Sequence, residues 1–317
     1  MLFYLVAFSL GPVAMAVEAR LGKRLGVYRV ADTRGNLSQF LGEMILTVAL
    51  RLDIFALYTH VASRIGLLHF SPRHVGTWVV AFLAMDFMYY VGHRCLHAVG
   101  ALWALHTVHH QSEEYNFSVG IRGPWLSALQ TIPFMLPLAL LGLPPSVLVP
   151  LYVFHTVYKL VVHTRLLGSF GPLDALLVSP RMHRVHHSAR REHQDKNFGG
   201  VLSLWDRIFG TYSPDEATEG FGLGHAPDAD PLANNLEPFR ARLGRPAGGA
   251  GETKRPLSQA VAWWCFGGTA AATLAFMVYG PSLPLGYRLV LALPLLGLLR
   301  LGNRPAPAEG AARSAGA

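Results

Sequence analysis

The fold is decided by residues 75–110, which read VGTWVVAFLAMDFMYYVGHRCLHAVGALWALHTVHH. Apolar residues dominate the first half of this stretch, and the second half contains five histidines. A helix needs about 20 predominantly apolar residues to cross a bilayer, and the first half is close to that length. The histidines follow where such a helix would leave the membrane. The stretch therefore predicts a membrane protein that concentrates imidazoles at one membrane boundary.

The composition of the whole chain agrees with a membrane protein. Of its 317 residues, 51% are hydrophobic and only 15% are charged, and the mean hydropathy is +0.32. About five to seven membrane helices are expected from the long apolar runs. These runs are 1–17, 40–60, 75–92, 125–141, 147–162, 257–279 and 289–301. The first run ends near Ala14-Met15-Ala16, which resembles a signal-peptide cleavage site, but a retained helix is preferred because no basic residue precedes it.

The positive charge of the chain predicts its orientation rather than a nucleic-acid partner. The formal net charge is +8, and the basic residues fall mainly in loops beside the apolar runs. The positive-inside rule explains this pattern and places the histidine-rich segments in the cytoplasm. Cys95 and Cys265 cannot form a disulfide framework and show no metal-binding CxxC spacing.

Proline, glycine and charge divide the chain into segments. Pro144-Pro145 predicts the turn of a membrane hairpin, and Ser179-Pro180 predicts the start of a helix. Residues 201–210 have the mixed composition of a helix lying in the membrane interface. We expect five regions: N-terminal membrane helices at 1–74, a catalytic region at 75–212, a cytoplasmic connection at 213–256, a membrane hairpin at 257–301 and a disordered tail at 302–317.

Three histidine groups have the spacing of metal ligands on helices. They are His93 with His97, His106 with His109 and His110, and His183 with His186 and His187. Residues three and four apart share a helix face, so each group presents imidazoles to a common centre. One such group is ordinary, but three groups between residues 93 and 187 indicate a metal site. Eight imidazoles exceed the three or four that a single zinc ion takes and suit two metals.

Other histidines leave alternatives open. His163 is a candidate ninth ligand at the end of an apolar run, whereas His155 lies deeper and is as well explained by a hydrogen bond inside the bundle. His193 and His225 are expected to be solvated loop residues. The pattern as a whole predicts an all-α, polytopic membrane helical bundle with a cytoplasmic, histidine-rich helical cap that holds a di-metal site.

These motifs resemble the histidine boxes of the membrane-bound fatty acid hydroxylase and sterol desaturase superfamily. The resemblance rests on HRCLH at 93–97, HTVHH at 106–110, His163 in VVHT and HRVHH at 183–187. Residues 86–116, DKNFGGVLSLWDRIFGTY at 195–212 and FGLGH at 221–225 are most similar to the alkylglycerol monooxygenase branch and its bacterial relatives.

The resemblance implies an O2-dependent, non-haem di-iron oxidoreductase that hydroxylates or desaturates a fatty acyl or alkyl chain, an ether lipid or a sterol. By family analogy the electron donor is a reduced pterin, although another redox donor fits the sequence equally well. Zinc can replace iron in a purified sample, because ligand affinity alone does not select iron. The metal ligands implied by the motifs are His93, His97, His106, His109, His110, His163, His183, His186 and His187.

Two acids are predicted near the metals. Glu113 follows His109 by four residues and His110 by three, so a continuous helix would place its carboxylate on the face of the ligands. We predict that Glu113 is a metal ligand or a partner that orients the imidazoles. Asp86 lies within an apolar run, where an acid usually marks a partner or a site, and is expected to bond a metal-bound histidine or line the lipid access path. Asp195 and Asn197 are expected to be structural or to support the ligands, and Trp103 and Trp125 to be interfacial anchors.

Two other classes of protein would also gather histidines. A membrane zinc hydrolase is the principal alternative, but the chain contains no HExxH helix with its general-base glutamate. A metal transporter should carry histidines near the bilayer midplane on broken helices, whereas these cluster at one membrane boundary. Dependence on O2 separates the lipid oxidoreductase from both alternatives.

Overall fold

The computed structural model describes residues 2–244 and 258–304, with side chains from residue 11 onward. The described chain is built from helices and loops, and its only strand-like pairings are two isolated β-bridges. The predicted all-α fold is confirmed. The helices are α1 (Leu2–Leu21), α2 (Val30–Leu50), α3 (Ile54–Ile65), α4 (Val75–Ala98), α5 (Gly100–His110), α6 (Phe117–Gly120), α7 (Ser127–Leu141), α8 (Pro145–Val162), α9 (Pro180–His186), α10 (Leu204–Ile208), α11 (Pro231–Arg242), α12 (Gln259–Tyr279) and α13 (Leu285–Gly302).

Among these helices, four are long and apolar enough to cross a membrane. They are α4, α8, the segment Gln259–Ser282 that includes α12, and α13, while α7 is apolar but shorter. Four of the predicted spans therefore fall on helices of suitable length. Helix α4 packs against α5, α7 and α8, and α12 and α13 pack against each other and against α2. The chain thus has the helical membrane architecture that its composition predicts.

The predicted span at 40–60 is wrong, because two helices meet within it. Helix α2 ends at Leu50, where Arg51 adopts the left-handed conformation with φ 52°. Asp53 then caps α3 by accepting hydrogen bonds from the backbone N–H groups of Phe55 and Ala56, each at 3.0 Å. The charges that interrupt this apolar run therefore form a turn between helices.

The turn predicted at Pro144-Pro145 is confirmed, although α7 and α8 pack mainly against α3 and α4 and not against each other. Gly142 ends α7 with φ 92°, and Pro144 and Pro145 take the N-cap and first position of α8. A Cβ on Gly142 would lie 2.0 Å from the Leu68 carbonyl oxygen, so only glycine fits this approach of two loops. The turn aligns α8 beside α4, and this arrangement brings the end of α8 to the histidines of α4 and α5.

The region predicted as a connection, 213–256, is partly helical. Helix α11 packs against α5, and Gln111 at the end of α5 donates to the Asn234 carbonyl at 3.1 Å. Residues 245–257 and 305–317 lie outside the described residues. They include most of the tail predicted at 302–317. Helix α13 itself extends to Gly302, and Asn303 is buried and donates to Ser38 Oγ at 2.6 Å. The domain boundaries stay predictions.

Candidate metal centre

Four helices bring the nine predicted ligands together. His93 and His97 lie on α4, and His106, His109 and His110 form the last turn and a half of α5. His163 immediately follows α8, and His183, His186 and His187 lie on or next to α9, which begins at Ser179-Pro180 as predicted. Residues up to 94 positions apart in the chain therefore meet at one end of the α4–α8 bundle.

The nine histidines separate into two groups, each of which could hold a metal ion. Within each group, one nitrogen from every ring lies within 4.8 Å of the corresponding nitrogens of the other rings. The five-histidine group is His93, His97, His106, His110 and His186, and the four-histidine group is His109, His163, His183 and His187.

The HxxHH motif explains how one helix serves both groups. In α5, His106 and His110 are four residues apart and join the five-histidine group, whereas His109 joins the four-histidine group. Helix α9 does the reverse: His183 and His187 join the four-histidine group, and His186 joins the other. Since residues at i and i+4 share a face and i+3 is offset from them, each motif points towards two centres.

The distances between ring nitrogens match metal coordination. His93 Nε2 and His110 Nε2 lie 3.1 and 3.2 Å from His106 Nε2. His163 Nε2 lies 3.1 Å from His183 Nε2 and 3.2 Å from His187 Nε2. Two nitrogens bound to one ion at about 2.0–2.1 Å, with an angle of about 90–110°, are separated by roughly 2.8–3.4 Å.

Backbone carbonyls orient several of these rings. The Nδ1 atoms of His93 and His186 lie 2.9 Å from the carbonyl oxygens of Phe198 and Lys196, and His109 Nδ1 lies 2.8 Å from the carbonyl of Arg122. Because a carbonyl only accepts, each Nδ1 carries the proton and each Nε2 keeps its lone pair. This is the arrangement by which proteins fix the tautomer of a metal-bound histidine.

Burial keeps the imidazoles neutral. It lowers the pKa of His109 to about 3 and that of His186 to about 4, and it holds the pKa values of His106, His110, His163, His183 and His187 well below 6.5. Repulsion from neighbouring imidazoles contributes for most of these rings. A neutral ring is the form that binds a metal, so the rings need lose no proton near neutral pH.

The donor set fits two metal ions. His97 and His186 both belong to the five-histidine group. Their Nε2 atoms are buried and have no hydrogen-bond partner among the described residues. An unpaired buried nitrogen costs free energy, and a bound cation would satisfy it. Imidazole is a suitable ligand for iron, zinc, copper and nickel.

Glu113 lies away from both groups. The prediction assumed that α5 continues to Glu113, but the helix ends at His110. Glu113 instead pairs with Arg29 at 2.8 Å, and its side chain is 33% exposed. The assumed helical geometry is therefore wrong. A direct ligand role for Glu113 stays a prediction, and the ion pair with Arg29 does not support it.

Asp86 is fully buried but bonds no histidine of either group. Its carboxylate accepts hydrogen bonds from the backbone of Val201 and Leu202, at 2.9 and 3.1 Å, and from Trp205 Nε1 at 2.9 Å. Its Oδ1 lies 3.5 Å from Nε2 of His155, which lies outside both groups. Asp86 therefore ties α4 to residues 201–205, where the predicted interfacial helix is only the short α10. Its proposed place on a lipid access path stays a prediction.

A cavity of ≈ 320 Å³ lies beside the five-histidine group. Trp103 lines it, with its ring centroid 5.0 Å from that of His97, and its role as an interfacial anchor stays a prediction. Trp125, the other predicted anchor, is buried in the bundle, as is His193, which was expected to be solvated. A small molecule in the cavity would contact His97, Trp103, His110, His186, Ser188, Ala189, Gln194, Asp195, Gly222 and Leu223.

Sequence reasoning missed Arg122 and Asp206. Arg122 is buried, and its carbonyl orients His109, whereas Asp206 holds the backbone of residues 198 and 199 beside His93. Neither residue lies in a histidine motif. The signal available was their charge within short segments next to the ligands, which is too common to single them out.

Fold and site together define a class: a helical protein with candidate membrane spans and two buried histidine groups suited to two metal ions. The family model for fatty acid hydroxylases matches residues 78–211, which contain all nine histidines. This region of the chain therefore matches the fatty acid hydroxylase family. The resemblance predicted from the histidine motifs is confirmed.

Curated relatives agree with this assignment. Human alkylglycerol monooxygenase is 41% identical over 167 residues, which cover 53% of this chain and 36% of the relative. The Xenopus tropicalis alkylglycerol monooxygenase is 34% identical over 215 residues, 68% of this chain and 47% of the relative. An ornithine lipid hydroxylase of Rhizobium tropici is 30% identical over 187 residues, 56% of this chain and 55% of the relative.

The matched regions span less than half of these alkylglycerol monooxygenases and about half of the Rhizobium tropici enzyme. No solved structure gives a significant match to the chain. The names of the relatives describe oxidoreductases that act on lipids.

Proposed function

We propose that this protein is a membrane-bound, O2-dependent, non-haem di-iron oxidoreductase that hydroxylates or desaturates a lipid. The observation that carries the proposal is the pair of buried histidine groups next to helices long enough to cross a membrane. The relatives named alkylglycerol monooxygenase and ornithine lipid hydroxylase favour a lipid substrate. The substrate class we propose is a fatty acyl or alkyl chain, an ether lipid or a sterol.

The reaction requires an external donor of two electrons. In hydroxylation, a C–H group, O2, two electrons and two protons give C–OH and water. In desaturation, two neighbouring C–H groups and the same reactants give C=C and two waters. Two bound irons would supply the O2-activating redox chemistry that amino-acid side chains lack. A reduced pterin is our candidate donor by family analogy, and another redox donor would satisfy the same balance.

The chain's own residues supply position and exclusion of water. Carbonyls of Phe198, Lys196 and Arg122 hold three of the ring nitrogens in place. Burial keeps the rings neutral, and beside the five-histidine group it leaves the cavity lined by His97, His110 and His186 as the space for a small molecule. The loops beside the histidines carry the excess of basic residues, and on that basis we propose that the metal centre lies on the cytoplasmic side.

Lipid analysis by mass spectrometry tests this function. Cells expressing the wild type, His109→Ala or His225→Ala are grown under ¹⁸O2, and their lipids and sterols are compared at matched expression. His225 is exposed and outside both histidine groups, so its variant is the matched control. We expect an ¹⁸O-labelled hydroxylated lipid with the wild type and with His225→Ala, but none with His109→Ala.

The alternative outcomes separate the two reactions. An unlabelled lipid with a new double bond, again absent from His109→Ala, would identify a desaturase. Identical lipid profiles from all three proteins, in cells supplied with alkylglycerol, fatty acids and sterols, would contradict the proposal.

A further inference from the structure

One short segment, residues 195–198, orients two of the five rings in the five-histidine group and contacts a third. The carbonyl of Lys196 accepts from His186 Nδ1, and the carbonyl of Phe198 accepts from His93 Nδ1, both at 2.9 Å. The Asp195 carboxylate lies 3.5 Å from His97 Nδ1. This segment is irregular, since Asp195 and Asn197 have φ values of 57° and 55°. Its shape therefore has to be held by other residues.

Asp206 holds this segment from α10. Its two carboxylate oxygens accept from the backbone N–H groups of Phe198 and Gly199, each at 2.8 Å, and Thr211 Oγ1 donates to the same carboxylate at 2.7 Å. The side chain is 1% exposed, so no solvent replaces these bonds. A shift of the Phe198 amide also shifts the neighbouring peptide unit, and the carbonyl of that unit orients His93.

The four-histidine group has a different support. The Arg122 carbonyl accepts from His109 Nδ1 at 2.8 Å. The Arg122 guanidinium fixes that carbonyl by donating to the Val108 carbonyl at 2.6 Å, to Gln111 Oε1 at 2.7 Å and to Asn36 Oδ1 at 3.0 Å. These bonds link α2 to the end of α5, and they lie inside the protein because Arg122 is only 2% exposed. Within the part of the chain that the structure describes, the hydrogen bonds of Arg122 do not reach residues 195–206.

We propose that the two metals are positioned by separate residues, Asp206 for the five-histidine group and Arg122 for the four-histidine group. The inference rests on the proposed metal function and deepens it. Both are positioning residues, because they act through the backbone carbonyls that orient ligands and not by touching a metal. Loss of such outer partners typically weakens metal binding by roughly 10–100-fold. Since the supports are distinct, each loss should fall mainly on one metal.

Cobalt titration of the full chain in detergent tests the proposal, because Co²⁺ reports its ligand environment in visible absorption. His93→Ala and His183→Ala assign the absorption bands to the five-histidine and the four-histidine group. Asp206→Asn keeps the size of the side chain but sets an N–H donor against one of the two backbone donors. Arg122→Lys keeps the charge but removes the forked set of donors. Each variant is the control for the other.

We expect Asp206→Asn to weaken Co²⁺ binding at the five-histidine group roughly 10–100-fold while changing the other group less than about 3-fold. Arg122→Lys should instead weaken Co²⁺ binding mainly at the four-histidine group. Equal weakening of both groups by either variant, or no weakening by either, would overturn the proposal. If Asp206→Asn is not recovered as folded protein, Thr211→Val removes one donor to Asp206. This variant should likewise weaken Co²⁺ binding mainly at the five-histidine group. A folded wild type that binds no Co²⁺ would instead contradict the proposed metal function.

Discussion

His163 Nε2 lies 3.3 Å from His109 Nε2, although each ring uses its Nδ1 to donate to a backbone carbonyl. Both rings are therefore left with an unprotonated Nε2, and neither nitrogen can donate to the other. Two lone pairs directed at each other inside a protein repel unless a cation lies between them. This relationship is the strongest geometric argument for a metal in the four-histidine group.

Replacement of His163 should remove one metal and leave the other. His163 Nε2 is within 3.3 Å of the Nε2 atoms of His109, His183 and His187, so it is the common neighbour in its group. We expect His163→Ala to lower the metal content by one ion per chain, as measured by elemental analysis of purified protein. His225→Ala is the control and should keep the wild-type content. Full metal content in His163→Ala would argue against this ligand.

Replacement of Asp86 should destabilise the fold. Asparagine would direct an N–H donor towards Val201, Leu202 or Trp205, which are themselves donors. A buried donor left without an acceptor costs about 1–3 kcal/mol, so Asp86→Asn should lower the unfolding temperature measured in detergent. Asp53→Asn is the matched control, because asparagine also caps helices well. Equal unfolding temperatures for the two variants would contradict the structural role assigned to Asp86.

Replacement of Glu113 should have little effect. Its ion pair with Arg29 is partly exposed and should contribute no more than about 1 kcal/mol, and it bonds no histidine of either group. We therefore expect Glu113→Gln to retain the wild-type metal content and turnover. A loss of metal in this variant would restore the ligand role that its spacing from the histidines predicts.

Acid should destabilise the metal-free protein. An unfolded histidine takes up a proton below a pH of about 6.5, whereas burial lowers the pKa of His109 to about 3 and that of His186 to about 4. Between these values the unfolded chain binds more protons, so stability falls as the pH falls. The unfolding temperature in the presence of a chelator should be lower at pH 5 than at pH 7. His186→Asn should reduce that difference, and an unchanged difference would contradict the assignment.

The helical fold and the grouping of eight histidines in three motifs follow from the sequence, because helix periodicity fixes which residues share a face. His163 was added to this set by the resemblance to the histidine boxes. The division into two groups does not follow from any one motif. It depends on how α4, α5, α8 and α9 come together, which is a tertiary property. The i+3 histidine of each HxxHH motif illustrates this. His109 lies in the four-histidine group and His186 in the five-histidine group, whereas the other two histidines of each motif lie in the opposite group.

Supporting residues were harder to predict, because their partners are distant in the chain. Asp86 bonds residues more than a hundred positions away, and no periodicity reports such a contact. Glu113 was misplaced because the end of α5 at His110 was not recognised, as no glycine or proline marks it. Arg122 orients His109 through its own carbonyl and holds that carbonyl with a guanidinium that reaches Asn36 and Gln111, and no sequence spacing reports either contact.

The most direct test of the metal centre is the iron content of the full chain after anaerobic reconstitution with Fe²⁺ and removal of unbound metal. Two buried histidine groups predict two irons per chain. Substitution of His93 and His163 together should abolish this content, while His225→Ala should leave it unchanged. Folded wild-type protein that retains no iron beyond that of the double variant would contradict the account.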